Sequence, residues 1–382
     1  MTKPLCLRSV KIQGYRPFKD FLAPLGPMEV IVGANGSGKS SLFEFLRFLR
    51  DSLSLYQNIP PGIISDYAGQ RIFHSPGPEE FSWDIEVEFP QLHVVGYKGK
   101  LMGPMGHRRV VYESVQTEAS LLMERDENRY FTWDFDQGRS TGIVNQDQLV
   151  LGFSTDPKME ILYKLREYIL GWRFYDSFNI DRHNIRRPVL VEQAPVLNEN
   201  ARNLSALLHY FVTEHHPAVD DLQQHLRLTI PGFRNLMVKA QGAPGEVIAF
   251  WQEEGVDSDL SLADLSDGIL QLICWTALCV QPNPPSLICI DEPDQGVHPR
   301  TLPVLAGLFE KACDRTQIIL ATHSSYFLKQ FDISRIAVMR KENGEAKFIK
   351  PKNSAVLIEF LKDFGPEEIE IMHRNGELEY FA

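Results

Sequence analysis

An apolar strand that runs into a glycine-rich loop and then directly into a helix leaves a chain few ways to fold. Residues 28–41, MEVIVGANGSGKSS, have this form. Residues 28–32 are a short apolar run rich in β-branched side chains, which predicts a strand. Residues 39–53, KSSLFEFLRFLRDSL, place Leu42, Phe43, Leu46, Leu49 and Leu53 at helical spacing. Between them, 33-GANGSGKS-40 matches G-x-x-x-x-G-K-[ST]. Gly33, Gly36 and Gly38 permit backbone conformations that turn amides toward phosphate oxygens. The amides of Asn35, Ser37 and Ser41 belong to the same cradle. Lys39 supplies a point charge for the β- and γ-phosphates, the Ser40 hydroxyl suits Mg²⁺, and the helix N-terminus adds its dipole.

A phosphate loop needs a carboxylate on a neighbouring strand, and one stretch supplies it. Residues 287–293, LICIDEP, end a continuous apolar run on Asp291 and Glu292. Such a run suits a strand buried on both faces. Asp291 fits the Mg²⁺ role and Glu292 that of a base toward an attacking water. A third apolar strand, 317–322, ends on Thr322 and His323. Ligands of open α/β sheets sit at the carboxyl ends of strands. His323 there suits a donor to the γ-phosphate, while Ser324 or Ser325 caps the following helix.

Elsewhere the pattern predicts a strand meander over 81–89, 92–102, 108–115 and 129–135. Helices are predicted over 157–172, 202–215, 217–230, 300–313 and 354–364, and hairpins over 234–255 and 335–351. Residues 56–80 form a long Pro/Gly-rich connection of the kind that is usually functional or mobile. The tryptophans are expected in the core. The basic cluster 182–188, RHNIRRP, could meet nucleic-acid phosphates, but a solvated or internally paired loop is the first expectation. The acidic stretch 365–379 is expected to be a surface or partner-binding end.

One turn has no place in this account. Residues 265–268, LSDG, head an apolar helix and by themselves read as a helix cap. Set beside the other motifs they complete a pattern. GANGSGKS resembles a Walker A loop, LSDGILQ an ABC signature, LICIDEP a Walker B strand, 294-DQGVHP-299 a D-loop and ATHS an H-loop. In this order they resemble the ABC-type ATPase heads of the RecF/SMC/OLD group, the AAA-family RecF-like ATPases. Residues 11–20, KIQGYRPFKD, and 201–211, ARNLSALLHYF, are similar to further pieces of those heads. The resemblance runs from about residue 5 to about 350.

It implies an α/β fold: a P-loop NTPase head with a mixed central sheet, an antiparallel β meander and a helical insertion lobe. The corresponding division is 1–154, first ATPase lobe; 155–232, helical insertion; and 233–382, second lobe and return to the core. It implies ATP and Mg²⁺ as cofactors and a homodimer closed head to tail by ATP. In that dimer Ser266, Asp267 and Gly268 of one copy bind the nucleotide held by the other. Asp267 stands where transporter ATPases usually carry glycine. The chain lacks the long heptad arms of SMC proteins, and the residues after His323 are too few for the Toprim nuclease of OLD proteins. Gln70 or His74 is the candidate for the Q-loop residue. DNA and a companion nuclease or toxin are the partners such heads suggest, in DNA repair or anti-phage defence.

Composition narrows the alternatives. A net charge of −11 argues against a generally basic nucleic-acid binder, while leaving room for a local basic groove. The five scattered cysteines, with no C-x-x-C pair, suit a reducing compartment, and the expected location is cytoplasmic. No run approaches the roughly 18 apolar residues of a membrane span. A transporter-type ATPase subunit docking on a permease, or a nucleotide-gated scaffold with negligible turnover, are the competing readings.

Overall fold

The computed structural model describes residues 4–54, 72–90, 93–103, 108–134, 138–176, 185–353 and 367–377. Its N-terminal hairpin, β1 (Cys6–Tyr15) and β2 (Phe18–Pro24), puts Val10 and Ile12 inside and Arg8 and Lys11 outside. β3 (Met28–Val32) is buried along its length and feeds α1 (Lys39–Ser52). The meander follows as β4 (Glu80–Phe89), β5 (His93–Met102), β6 (Arg109–Thr117), β7 (Leu121–Asp126), β8 (Arg129–Asp134) and β9 (Gly138–Ile143). With the hairpin it makes an antiparallel sheet in the order β2-β1-β4-β5-β6-β7-β8-β9.

Neither β7 nor β9 is predicted from the sequence pattern. β7 is six residues long and half charged. β9, GRSTGI, is an edge strand with no buried residue, so no hydrophobic alternation marks it. Beside this edge, Trp133 on β8 is 44% exposed, whereas Trp83, Trp172, Trp251 and Trp275 lie in the core as expected.

α2 (Glu160–Leu170) leads into β10 (Trp172–Tyr175). This four-residue strand was hidden at the tail of the helical pattern. After β11 (Val189–Leu190) come α3 (Leu204–Glu214), α4 (His216–Thr229), and the hairpin β12 (Phe233–Ala240) and β13 (Glu246–Glu253), with β14 (Leu260–Ser261) on its edge. α5 (Asp267–Val280), β15 (Leu287–Asp291), α6 (Leu302–Ala312), β16 (Gln317–Ala321) and α7 (Ser325–Leu328) build the second α/β run. β17 (Ile336–Glu342) and β18 (Glu345–Ile349) form the late hairpin, and α8 (Glu367–Arg374) is the last described helix. The predicted helix 354–364 lies outside the described residues; the stretch 365–379, expected as a surface or partner-binding end, is described over 367–377 and is partly docked there. Met372 of α8 is buried, and Glu370 pairs with Lys329 at 3.0 Å.

β10-β15-β16-β3-β17-β18 form the central sheet, parallel except for β18. Its strands read as unbroken apolar runs because each face has its own core. Met28, Val30, Ile288, Ile290, Ile318 and Leu320 point into the core shared with α3, α4, α5 and α6. Ile31, Leu287, Cys289, Ile319 and Ala321 point into the core shared with α1, α2 and the antiparallel sheet. Within 155–232, α2 joins the latter core and α3 and α4 the former. All five cysteines are free thiols, Cys313 the least buried.

One charge pair is built into the central sheet. Glu29 of β3 is fully buried and forms an ion pair with Lys350, while the Gly26 amide donates to its other oxygen at 3.0 Å. Burial pushes the Glu29 carboxyl up, and Lys350 opposes that shift. Lys350→Ala strands the carboxylate and is expected to lower the unfolding free energy by about 3–5 kcal/mol. The double change Glu29→Met with Lys350→Met should restore most of it. Urea denaturation of the two proteins checks both.

Candidate active site

The parallel register delivers three strand ends to one edge. β3 ends at the glycine loop, β15 at Asp291, and β16 just before Thr322 and His323. They border a cleft of about 660 Å³ lined by residues 35–41 together with Asp291, Glu292 and His323.

Gly33 has φ +152°, and a Cβ there would overlap the Met339 carbonyl oxygen of β17. Gly38, in the left-handed region, is the N-cap of α1 and offers no side chain to its first amides. Those amides remain available to an anion, as phosphate sites at helix starts require. Lys39 is buried and donates to the Gly33 carbonyl at 2.6 Å, so its ammonium lies along the loop. The Ser40 hydroxyl donates to Asp291 Oδ2 at 3.2 Å. The two residues proposed for Mg²⁺, 251 positions apart in sequence, are thus adjacent in space. Burial raises the Asp291 carboxyl, and the Ser40 hydrogen bond opposes it.

Glu292 is held in the left-handed region, φ +53°, which a non-glycine residue rarely adopts. Its amide donates to the Ala321 carbonyl at 2.8 Å, and its carboxylate accepts from the His323 amide at 3.3 Å. Its Oε1 is 3.5 Å from His323 Nε2. Burial, reinforced by Asp294 and Asp291, pushes the Glu292 pKa up to about 7. A carboxyl poised there can exchange a proton near neutral pH. Burial, together with the Lys39 charge, holds His323 below the usual histidine range. Thr322, fully buried, donates to Asp294 at 2.6 Å, which ties the D-loop to the H-loop.

A base works only when ionised. With Glu292 as the proposed base, turnover is expected to rise with pH through a midpoint near its raised pKa of about 7 and to fall away below it. Measuring kcat/KM for ATP across about pH 5–9 reads this directly, since that ratio reports groups of the free enzyme.

Ser266, Asp267 and Gly268 do not line this cleft. Ser266 is the N-cap of α5 and accepts from the Ile269 amide at 3.4 Å. Asp267 is 72% exposed and pairs with Arg186. A Cβ at Gly268 would come 2.7 Å from the Gly296 carbonyl oxygen, so the turn rests directly on the D-loop. Farther along α5, the Trp275 indole donates to the Pro293 carbonyl at 3.1 Å.

His74 lines the cleft, with Nδ1 2.7 Å from the Arg16 carbonyl oxygen; Gln70 lies outside the described residues. Arg16, Phe73 and Lys341 also line it and were not among the expected site residues. Arg16 lies within the matched stretch 11–20, which was its only signal. Lys341 arrives from the late hairpin, where nothing in the sequence marks it.

Two family models match the sequence. One, described as "AAA ATPase domain", covers residues 6–133. The other, described as "AAA domain, putative AbiEii toxin, Type IV TA system", covers residues 152–329. No curated protein matches the chain in sequence. Among solved structures, an Smc head bound to the C-winged helix domain of ScpA is similar at TM-score 0.58 and 14% identity, over 90% of this chain and 97% of that one. An Smc head with an extended coiled coil, bound to the C-terminal domain of ScpA derived from Pyrococcus furiosus, is similar at TM-score 0.56 and 12% identity, over 94% and 100%. One from Pyrococcus yayanosii, with a coiled coil and joint, is similar at TM-score 0.51 and 12% identity, over 93% and 99%. The glycine loop, the two strand-end motifs and two AAA family models that between them match most of the chain support an AAA-type ATPase, whose head has the fold of the Smc structures.

Proposed function

We propose that this ATPase works as an Mg²⁺-dependent pair of heads, closed by ATP, which regulates a DNA transaction or a companion effector protein. The observation that carries the reading is the separation of the site into two parts. Lys39, Ser40, Asp291, Glu292 and His323 converge on one cleft, while the turn at Ser266–Gly268 stands outside the cleft of its own chain. A second copy would bring that turn to the open side of the nucleotide.

In this mechanism the amides of Gly33–Ser41 and the Lys39 ammonium hold the phosphates. Ser40 and Asp291 are the residues that would hold Mg²⁺, whose charge would offset that of the phosphates. Glu292 takes a proton from the attacking water, and His323 donates to the γ-phosphate. The Ser266 hydroxyl, the Gly268 amide and the start of α5 meet the same phosphate from the partner copy. The D-loop and His323 link hydrolysis to opening.

The toxin-system wording of one family description supports a companion effector, and so do solved heads bound to ScpA domains. Among the described residues no helix is long and apolar enough to cross a membrane, and no observation favours a permease partner. Phosphate release with and without double-stranded DNA, together with light scattering at saturating ATP, tests the proposal. Turnover with an ATP-dependent doubling of mass is expected. A protein that hydrolyses ATP while strictly monomeric would remove the paired mechanism, and indifference to DNA would leave the effector as the output.

A further inference from the structure

Arg186 reaches the turn at Ser266–Gly268 from a distant part of the chain. It lies between two anchored neighbours. Ile185 is buried in the helical core, and Val189 begins β11, which pairs with β13. Its side chain is nine-tenths buried. Nη2 donates to the Leu265 carbonyl at 2.9 Å and to the Asp267 carboxylate at 2.7 Å, so one nitrogen spans the two residues that flank Ser266. Nε is buried and has no hydrogen-bond partner among the described residues, so the guanidinium is not committed to any other element through that atom.

This contact answers an electrostatic difficulty. Asp267 places an exposed carboxylate in the first turn of α5. A carboxylate there suits the helix dipole but opposes an anionic ligand approaching the same amides. The Arg186 charge offsets it, and the second hydrogen bond fixes the backbone just before Ser266. Arginine presents its donors in a rigid planar fork, so the orientation of the turn is set as well as its charge.

We infer that Arg186 is a positioning residue for hydrolysis in the opposite copy: it neutralises Asp267 and aims the Ser266–Gly268 turn at a nucleotide phosphate bound by its partner. The inference rests on the composite-site reading above. Arg186 does not line the nucleotide cleft of its own chain, so its loss should leave ATP binding unchanged.

Mixing proteins separates the two ideas. Arg186→Ala alone is expected to hydrolyse ATP about tenfold more slowly or worse, the scale of losing a group that orients a catalytic element. Its ATP affinity and thermal midpoint should be retained, and Arg186→Lys should recover part of the rate. Glu292→Gln alone should be inactive but retain an intact turn. In a mixed pair, the nucleotide site of the Arg186→Ala copy faces the intact turn of the Glu292→Gln copy. An equimolar mixture should recover about a quarter of wild-type turnover, the share of intact sites among randomly paired dimers. Ser266→Arg mixed with Glu292→Gln is the control and should recover equally. Wild-type turnover by Arg186→Ala, or recovery with Ser266→Arg but none with Arg186→Ala, overturns the role of Arg186. No recovery in either mixture overturns the composite site itself.

Discussion

Glu292→Gln is expected to slow ATP hydrolysis by about 10²–10⁴-fold, the usual cost of losing a positioned general base. Glutamine keeps the size of the side chain and an oxygen able to accept the His323 amide, so the local hydrogen bonding should persist. It also leaves the left-handed backbone at this position no worse off than glutamate does. What it removes is the carboxylate, whose pKa burial pushes up to about 7. ATP should therefore still bind, and the closed pair should accumulate because its exit is blocked. Phosphate release and sizing at saturating ATP check the two halves separately. Normal hydrolysis by a protein that stays monomeric would show that neither the base nor the pair is assigned correctly.

Ser266→Arg is expected to reduce hydrolysis by about 10²-fold or more, as removal of a preorganised donor does at other charge-stabilising sites. Folding should survive. Losing the N-cap of α5 costs about 1 kcal/mol. The helix is otherwise buried over most of its length and held by the Trp275 contact. Ser266 does not line the nucleotide cleft of its own chain, so ATP affinity should be unaffected. Fluorescent-nucleotide titration beside a turnover assay distinguishes the cases. Loss of binding would mean that the turn serves its own chain, as a cap and nothing more.

The sequence disclosed the parts of this site whose chemistry demands fixed residue types at fixed spacing. The glycines, Lys39 and Ser40 are contiguous, and Asp291, Glu292 and His323 end apolar runs, so each could be found locally. What it concealed is set by tertiary arrangement. Arg186 and Asp267 lie 81 residues apart, and the former sits in a cluster that reads as an ordinary basic loop. The left-handed backbone of Glu292 has no residue signature, since glutamate does not advertise positive φ. Among the elements, β10 was lost because its four residues follow a helix with only Gly171 between them. β9 was lost because an uncovered edge strand needs no apolar face. The central strands were legible for the opposite reason, as two cores force every position to be apolar.

The contact between Gly268 and the Gly296 carbonyl, with the Trp275 indole on Pro293, bears on timing. It packs the start of α5 directly against the segment that follows Asp291 and Glu292. In the proposed pair, these packed segments would serve one nucleotide through their carboxylates and the other through their turn. Neither nucleotide could then be released without disturbing the other. Hydrolysis at one site would then be felt at the other, a coupling that arises from shared mechanical parts with no separate relay between the sites.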